Sequence, residues 1–459
     1  MLVLMSPRAA KVVSIFRGLE QTLRWQAANA GAAGDGTGSC VKVVDGFGMT
    51  ADAPAARWAL FAVISSIFFL ISAATFSSLG VVLPFMIHEL SWTRSQAGTG
   101  FSLFALSVGL ASTVPAWTLR RFGIKATYGI GGTIMASGFA LFALTNSLQS
   151  YFVAAALLGL GFASCATVPG VYLLNGWMPE KRSAVIGAFM TAGGLGAVAG
   201  PLAASRVIAA TGSWRLYWWA IAAAMLALTA LALIIVRNPP RGTVAVDAAA
   251  ATTGESRPHH VYRTSRDWRF RDAIRTPQFW IVAVAMTSTL LCVLTSSSWA
   301  FTHMGTLGIP ASVAAGVLSA DGAVSALSRA LGGALATRID PKRLLVAALV
   351  GETIGIAALS VADNWIAIVI FAVADGFGFG MCFFATAMLL VNYFGPSDNP
   401  EIFGTFNLIT TAAMIGPATA GFFADSFGGF TGVFQGCAAV MLLMVIITAA
   451  MRPPRLSAP

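Results

Sequence analysis

Charged residues are scarce in this chain. Asp, Glu, Lys and Arg together make up 10% of its 459 residues, whereas soluble domains contain about 25%. That scarcity excludes an ordinary soluble protein. Hydrophobic residues make up 57% of the chain, which is typical of a protein embedded in a membrane.

Sequence motifs for several chemistries are missing as well. The five cysteines form no CxxC pair, which argues against a zinc site or a disulfide framework. No GxxxxGK[ST] phosphate loop occurs, so ATP is not the expected energy source. His, Asp and Cys residues do not cluster within the apolar segments. We therefore expect no enzyme, no metal and no cofactor.

Long apolar segments are what the chain has instead. A membrane-spanning helix needs about 20 apolar residues, and twelve segments meet that requirement. We number them spans one to twelve: 58–81, 97–118, 126–146, 151–175, 184–205, 215–236, 278–301, 312–336, 344–361, 365–391, 402–424 and 430–451. They predict an all-α membrane protein with 12 transmembrane helices.

Lys and Arg are distributed unevenly among the loops. With the N-terminus placed in the cytoplasm, 24 of the 28 lie in cytoplasmic segments, Arg94, Arg206 and Arg215 lie outside, and Arg329 lies within span eight. This positive-inside bias predicts a multi-pass protein of the cell (inner) membrane with both termini cytoplasmic. The net charge of +10 therefore reflects topology and does not indicate a nucleic-acid partner.

The two halves of the chain resemble each other at one fixed offset. The matching pairs are Arg121 with Arg338, Lys125 with Lys342, Gly159 with Gly376, Gly161 with Gly378, Cys165 with Cys382, and Asn175 with Asn392. The repeat predicts two pseudo-symmetric six-helix bundles that rock around a central site. The predicted parts are an N-terminal extension (1–57), a bundle (58–236), a cytoplasmic linker (237–277) ending in a short basic amphipathic helix, a second bundle (278–451) and a tail (452–459).

The loop after span two, AWTLRRFGIK (116–125), resembles the G-x-x-x-D-R-x-G-R-K signature of the major facilitator superfamily. That resemblance implies the major facilitator fold and a gating role for six residues: Arg121, Gly123, Lys125, Gly333, Arg338 and Lys342. The acidic residue of the signature is replaced in both copies, by Arg120 and Thr337. Within the superfamily, the stretches GVVLPFMIHELSWTRSQAG (80–98), NGWMPEKRSAVIGAFMTAGGLG (175–196), TPQFW (276–280) and SRALGGALATR (328–338) resemble the monocarboxylate-porter and oxalate–formate-exchanger group.

Charged residues within the spans break the repeat. Arg329 aligns with Ser112, Asp375 with Leu158, and Glu352 with Met135. Residues that hold the repeated fold together should recur in both halves, whereas a charged residue that binds substrate is needed in only one half. A charge near the bilayer centre costs about 2.5–3.5 kcal/mol, so such residues are functional candidates.

Arg329 is the predicted substrate-binding residue. In the resembled group, an Arg in the eighth span contacts the substrate carboxylate. The alternative is an Arg neutralised by Asp321, Asp375 or helix-end carbonyl groups. Asp321 and Arg329 lie eight residues apart, about 80° around a helix, and are therefore not natural partners.

Asp375 and Asp321 are the predicted proton-coupling residues. The alternative for Asp375 is a fixed ion pair with Arg329, and for Asp321 a water-exposed place in the outer vestibule. We expect Glu352 to pack or to make a hydrogen bond within the fold. Among the histidines, His303 is expected in an exposed vestibule.

Uncharged candidates for substrate binding are weaker. They are Tyr172 and Asn175 in span four, Trp299 in span seven and Asn407 in span eleven, and each is also an ordinary interfacial or interhelical residue. Tryptophans lie near many span ends, where they anchor helices at the membrane interface. These are Trp58, Trp92, Trp177, Trp214, Trp280, Trp299 and Trp365.

These features together predict a monomeric secondary transporter. Its expected partners are a small organic anion, with a monocarboxylate favoured, a proton and membrane lipid, and its expected mechanism is proton symport through alternating access. Exchange of dianions is disfavoured because the oxalate–formate exchangers that the chain resembles carry a second cation, a Lys in span eleven, whereas 402–424 contains no Lys or Arg. Proton-driven export of drugs or metabolites is the main alternative, since GAVAGP (196–201) and IGPATAG (415–421) resemble a Gly-Pro motif of exporters. A membrane sensor without transport is a second alternative.

Overall fold

The computed structural model describes residues 54–178, 181–238, 262, 264, 268–335, 339–395 and 399–454. Within these residues the regular structure is entirely helical. Eleven helical stretches are long and apolar enough to cross a membrane. One of them, Arg94–Ala143, is 50 residues long and contains both predicted spans two and three.

The helices agree with the predicted spans in order and position. Span one comprises Pro54–Ala74 and Phe76–Leu90, span two begins with Arg94–Leu110, and Val114–Ala143 completes span two and forms span three. Spans four to six are Leu148–Cys165 with Thr167–Trp177, Arg182–Thr211 and Trp214–Ile235. A linker helix, Phe270–Ala273, precedes spans seven to ten, which are Pro277–Thr306, Ala311–Leu335, Pro341–Ser360 and Trp365–Phe394. Span eleven comprises Asn399–Thr410 and Gly416–Phe427, and span twelve is Thr431–Ala450.

Gly123 separates spans two and three. Its backbone has φ 80° and ψ 173°, in the middle of an otherwise helical segment. Glycine is required there because a side chain strongly disfavours positive φ. The N–H of Ile124, freed by this break, donates a hydrogen bond to Asn238 Oδ1 at 3.1 Å. The chain therefore reverses direction at Gly123, and the long stretch is two spans.

Short loops with strong caps set the ends of several spans. Thr93 and Gln96 form a capping box at the start of span two, in which each side chain accepts a hydrogen bond from the other residue's backbone N–H. Asn364 accepts from the N–H of Ala367 at the start of span ten. Such caps satisfy N–H groups that have no partner inside the helix.

The packing contacts of the first half recur at the equivalent positions of the second half. A Cβ atom added to Gly161 would collide with Met135, and one added to Gly378 would collide with Glu352. Two further contacts repeat in the same way. Gly159 contacts Phe104 as Gly376 contacts Asp321, and Gly138 contacts Leu158 as Gly355 contacts Asp375. Close approach of helices through small residues is typical of membrane proteins. The domain boundaries themselves stay predictions.

Spans five and eight of the two halves touch near their middles, and further contacts between the halves lie at one end of the molecule. We call this end the far face; it is where span one ends and span two begins. The hydrogen bonds that join the halves in the described part of the chain all lie toward it. Ser102 of span two accepts one of them, from the N–H of Ala418 at 2.9 Å. We call the opposite end the near face.

Three tryptophans are not the interfacial anchors that their positions suggested. Trp177, Trp214 and Trp299 are buried, and Trp177 donates to the carbonyl of Arg237 at 3.1 Å. A buried indole N–H needs an acceptor; a backbone carbonyl supplies it for Trp177 and Trp299, and the Glu89 side chain supplies it for Trp214. The linker helix is only four residues long, and the adjacent Trp268 is buried, with its ring 5.7 Å from that of Phe394.

Candidate functional site

Three acidic residues meet in the second half. Asp321 of span eight packs against Gly376, the neighbour of Asp375 in span ten. Asp375 in turn packs against Gly355 of span nine, one turn after Glu352. The structure thus places Asp321 and Asp375 near each other, with Glu352 beside them, while their role in proton coupling stays a prediction.

Hydrogen bonds leave part of each carboxyl group unsatisfied. Glu352 is fully buried, and its Oε2 accepts a bond from Thr289 Oγ1 at 2.9 Å. Glu352 Oε1, Asp375 Oδ1 and Asp321 Oδ1 have no hydrogen-bond partner among the described residues. An unsatisfied buried polar atom costs about 1–3 kcal/mol. The hydrogen bond of Glu352 agrees with its expected role within the fold.

The same three places are apolar in the first half. At the offset that aligns Arg121 with Arg338, the equivalents of Asp321, Glu352 and Asp375 are Phe104, Met135 and Leu158, and all three are buried. Equivalent glycines pack against them. Apolar side chains therefore suffice for this packing, and the close approach of the helices does not by itself require the carboxyl groups. Intramembrane carboxyl groups that the fold does not need are candidates for carrying protons.

Arg329 points into the space between the two halves. On span eight, Asp321, Ser325 and Ser328 face span ten, while Gly322 and Ala326 face Ala197 and Gly194 of span five. Helix geometry, at about 100° per residue, places Arg329 between these two faces. The exposed side chains Leu327 and Leu331 lie on the opposite side. Arg329 is one turn beyond Ala326, toward the near face.

Aromatic rings, not carboxylates, contact the Arg329 guanidinium. Its central carbon lies 4.7 Å from the centre of the Phe379 ring and 5.5 Å from that of Phe383. In the described part of the chain, Arg329 makes no ion pair with Asp321 or Asp375 and no hydrogen bond. Its N–H donors are therefore available to a ligand. An arginine with free donors in an internal space can hold a carboxylate through two parallel hydrogen bonds.

The uncharged candidates lie in different surroundings. Trp299 is fully buried, donates from Nε1 to the carbonyl of Pro417 at 2.9 Å and stacks on Phe430, so no ligand reaches it in this conformation. Tyr172 and Asn175 are half-buried and Asn407 is exposed. In the described part of the chain, the side chains of Tyr172, Asn175 and Asn407 have no hydrogen-bond partner.

The predicted gating residues that the structure describes lie in or near the loops at the near face. Gly123 provides the turn described above, and Arg121 and Lys125 are exposed. In the second copy, Lys342 Nζ donates to the carbonyl of Ala449 at 2.9 Å, close to the C-terminal end of span twelve. A cation is favourable at that end of a helix dipole. Gly333 lies within the helix of span eight, and Arg338 lies outside the described residues.

Closure of the far face depends on a residue that sequence reasoning missed. Asp425, at the end of span eleven, accepts hydrogen bonds from the N–H groups of Arg94 at 3.3 Å and Ser95 at 2.8 Å. These are free donors in the first turn of span two, where the helix dipole also favours an anion. The Arg94 side chain donates back to the carbonyl of Ala424 at 3.2 Å.

His303 does not lie in an exposed vestibule, so that expectation is wrong. It is buried in the last turn of span seven, its ring lies 5.2 Å from that of Phe434, and its Nε2 is 3.1 Å from the carbonyl oxygen of Leu359. The neighbouring spans nine and twelve cover the ring. Phe379, Phe383 and Thr289 were also missed, because nothing distinguishes them from ordinary span residues before the helices are packed.

Known proteins resemble the chain in sequence and in structure. It matches the profile of the Major Facilitator Superfamily over residues 65–351 and 304–459. A hexuronate transporter of Bacillus subtilis (strain 168) is 25% identical over 396 residues, which cover 81% of this chain and 89% of that protein.

Solved structures share the fold. A bacterial homologue of the human lysosomal transporter Spinster, in an inward-facing and occupied conformation, matches with a TM-score of 0.67 and 17% identity, covering 86% of this chain and 96% of that one. The nucleoside transporter NupG matches with a TM-score of 0.68 and 12% identity, covering 85% of this chain and 99% of that one. The narrower resemblance to monocarboxylate porters stays a prediction.

Proposed function

Because the chain belongs to the Major Facilitator Superfamily, a family of transporters and not of enzymes, we propose that it carries an organic acid with a single carboxylate across the cell membrane. The observation behind this proposal is Arg329, a guanidinium with free donors that points between the two halves. One fixed cation matches one carboxylate, and intramembrane charges are kept where they bind substrates or ions.

A sugar acid such as a hexuronate is the first substrate to test. The relative from Bacillus subtilis is a hexuronate transporter, and a hexuronate combines one carboxylate with several hydroxyl groups. Arg329 would hold the carboxylate. Tyr172, Asn175 and Asn407 would bond the hydroxyl groups, since no described residue occupies their side-chain polar atoms. Trp299 would contact substrate only after the far face opens.

Proton symport is the proposed source of energy. Asp321 packs against Gly376, the neighbour of Asp375, and neither Asp forms an ion pair in the described part of the chain, so two full negative charges at this place would repel each other. A proton shared by this pair would remove the repulsion. We propose that Asp321 relays a proton from outside to Asp375, that the proton is released with the substrate on the cytoplasmic side, and that the empty, deprotonated carrier then returns.

The predicted topology places the far face outside the cell. The structure, with its far face closed, would then correspond to an inward-facing state of an alternating-access cycle. Both termini and the linker would be cytoplasmic, and the basic residues Arg121, Lys125, Arg338 and Lys342 would lie around the cytoplasmic entrance.

Uptake by purified protein in liposomes tests the proposal. The panel is radiolabelled D-glucuronate, L-lactate, succinate, D-glucose and an apolar amine, each with and without an inward proton gradient. We expect accumulation of D-glucuronate or L-lactate, driven by the gradient, and none of D-glucose. Uptake of D-glucose equal to that of D-glucuronate would contradict a role for the carboxylate, and gradient-driven expulsion of the amine would favour an exporter.

A further inference from the structure

Two phenylalanines of span ten surround the charged group of Arg329. Phe379 and Phe383 are four residues apart and therefore lie on one face of the helix. Their ring centres lie 4.7 and 5.5 Å from the guanidinium carbon. Cation–π attraction acts within about 6 Å of a ring centre, so both rings are in range.

The packing of spans eight and ten determines this arrangement. A Cβ atom at Gly380 would collide with Ser325 and Ser328, and one at Gly376 would collide with Asp321. The two glycines therefore let the helices approach closely. At this close approach the rings of Phe379 and Phe383 reach the guanidinium of Arg329. Phe383 keeps 53% of its surface exposed, so it is not there simply to fill the protein interior.

We propose that Phe379 and Phe383 are positioning residues for substrate recognition, a role that rests on the proposed function of Arg329. Together they form an aromatic bracket, which we define as these two rings. The bracket attracts the guanidinium through the ring faces and makes no hydrogen bond with it. The N–H groups of Arg329 therefore stay free for the carboxylate. A carboxylate partner in the protein would instead occupy those donors and compete with the substrate.

The bracket also explains how an unpaired arginine is tolerated at this depth. A flexible arginine without partners would sample many rotamers, and binding would then have to restrict them. The rings restrict the side chain before the substrate arrives, which lowers the cost of binding. Loss of a ring should therefore weaken affinity for acids without changing the turnover of the carrier.

Substitution of the rings tests the bracket. Phe379→Leu and Phe383→Leu remove the π face but keep an apolar side chain, whereas Phe379→Tyr and Phe383→Tyr keep the ring. Phe422→Leu is the matched control, because Phe422 is an exposed ring of span eleven whose aromatic contact is with Phe423. The measurement is the initial rate of [¹⁴C]D-glucuronate and [¹⁴C]L-lactate uptake into liposomes at matched protein content.

We expect each Leu variant to raise KM by roughly threefold to thirtyfold, as loss of one cation–π contact implies. The maximal rate should be unchanged, and the Tyr variants and Phe422→Leu should keep the KM of the unaltered protein. A KM unchanged in both Leu variants would overturn the bracket while leaving the proposed function intact. A fall in maximal rate at constant KM, with no rescue by Tyr, would also overturn it, because it would indicate a structural role. If the unaltered protein took up neither acid, the proposed function and the bracket would fail together.

Discussion

The buried carboxyl group of Glu352 should be dispensable for stability. Its equivalent in the first half is Met135, which is buried in the same glycine contact. Glu and Met side chains are similar in length and volume, so Glu352→Met places in the second half the residue that the first half already has. We expect the variant to be about as stable as the unaltered protein, or more stable.

The magnitude follows from two opposing changes. Removing Glu352 Oε1, which has no partner among the described residues, removes a cost of about 1–3 kcal/mol. Losing the hydrogen bond from Thr289 removes a gain of about 1–1.5 kcal/mol. Thr289 Oγ1 keeps a contact with Cys382 Sγ at 3.3 Å. The net change in the free energy of unfolding should thus lie between a loss of about 0.5 kcal/mol and a gain of about 2 kcal/mol, the difference between these two contributions.

Thermal unfolding in detergent, followed by tryptophan fluorescence, is the measurement. Met135→Glu is the matched control, because it buries an unpartnered carboxyl group at the equivalent place. It should lower the free energy of unfolding by about 3–5 kcal/mol if the group stays charged. The reasoning would be refuted if Glu352→Met lowered Tm as far as Met135→Glu does.

Three further predictions concern coupling, gating and topology. Asp375→Asn should abolish gradient-driven accumulation in liposomes but keep exchange of labelled for unlabelled substrate, because an amide mimics the protonated acid. Accumulation at the level of the unaltered protein would show that Asp375 has only a structural role. Asp425→Asn should weaken closure of the far face and speed labelling of a cysteine at Ser102 from that side by roughly tenfold, the effect of about 1.4 kcal/mol. Asp363→Asn, which changes an exposed loop carboxylate at the same face, is its control, and equal labelling rates in both variants would contradict this role of Asp425. A cysteine placed at Ala250 should resist impermeant reagents added outside intact cells, and its modification would reverse the predicted topology.

The fold was largely predictable because long apolar segments have few alternatives in a membrane. Each of the twelve spans has a helical counterpart, and the signal was composition alone. Helix breaks were not predictable in the same way. Span four is interrupted at Ala166, where ψ is −131°, although the sequence is continuously apolar there. Hydropathy reports burial in lipid and carries no information on such backbone irregularities.

The candidate site was predictable only in part. Arg329 and Asp375 stood out because a charge within a span is costly, and because their equivalents Ser112 and Leu158 are uncharged. The contacts of Arg329 were not predictable. Neutralisation by an acid or by helix-end carbonyl groups was the alternative to substrate binding, whereas Phe379 and Phe383 contact Arg329 instead. Which side chains meet across two helices depends on their rotation, and a single sequence leaves that rotation undetermined.

The contact between Arg329 and the substrate carboxylate is the central claim, and transport by four proteins tests it most directly. Initial uptake of [¹⁴C]D-glucuronate is compared, at matched expression, for the unaltered protein, Arg329→Lys, Arg329→Ala and Arg329→Ala combined with Asp375→Asn. The account predicts partial loss of uptake in Arg329→Lys, because the charge remains but the planar guanidinium that donates two parallel hydrogen bonds is lost. Arg329→Ala should lose about 2–5 kcal/mol of binding, and the double variant should be equally inactive. Recovery of uptake in the double variant would show that Arg329 only neutralises Asp375, and would contradict the account.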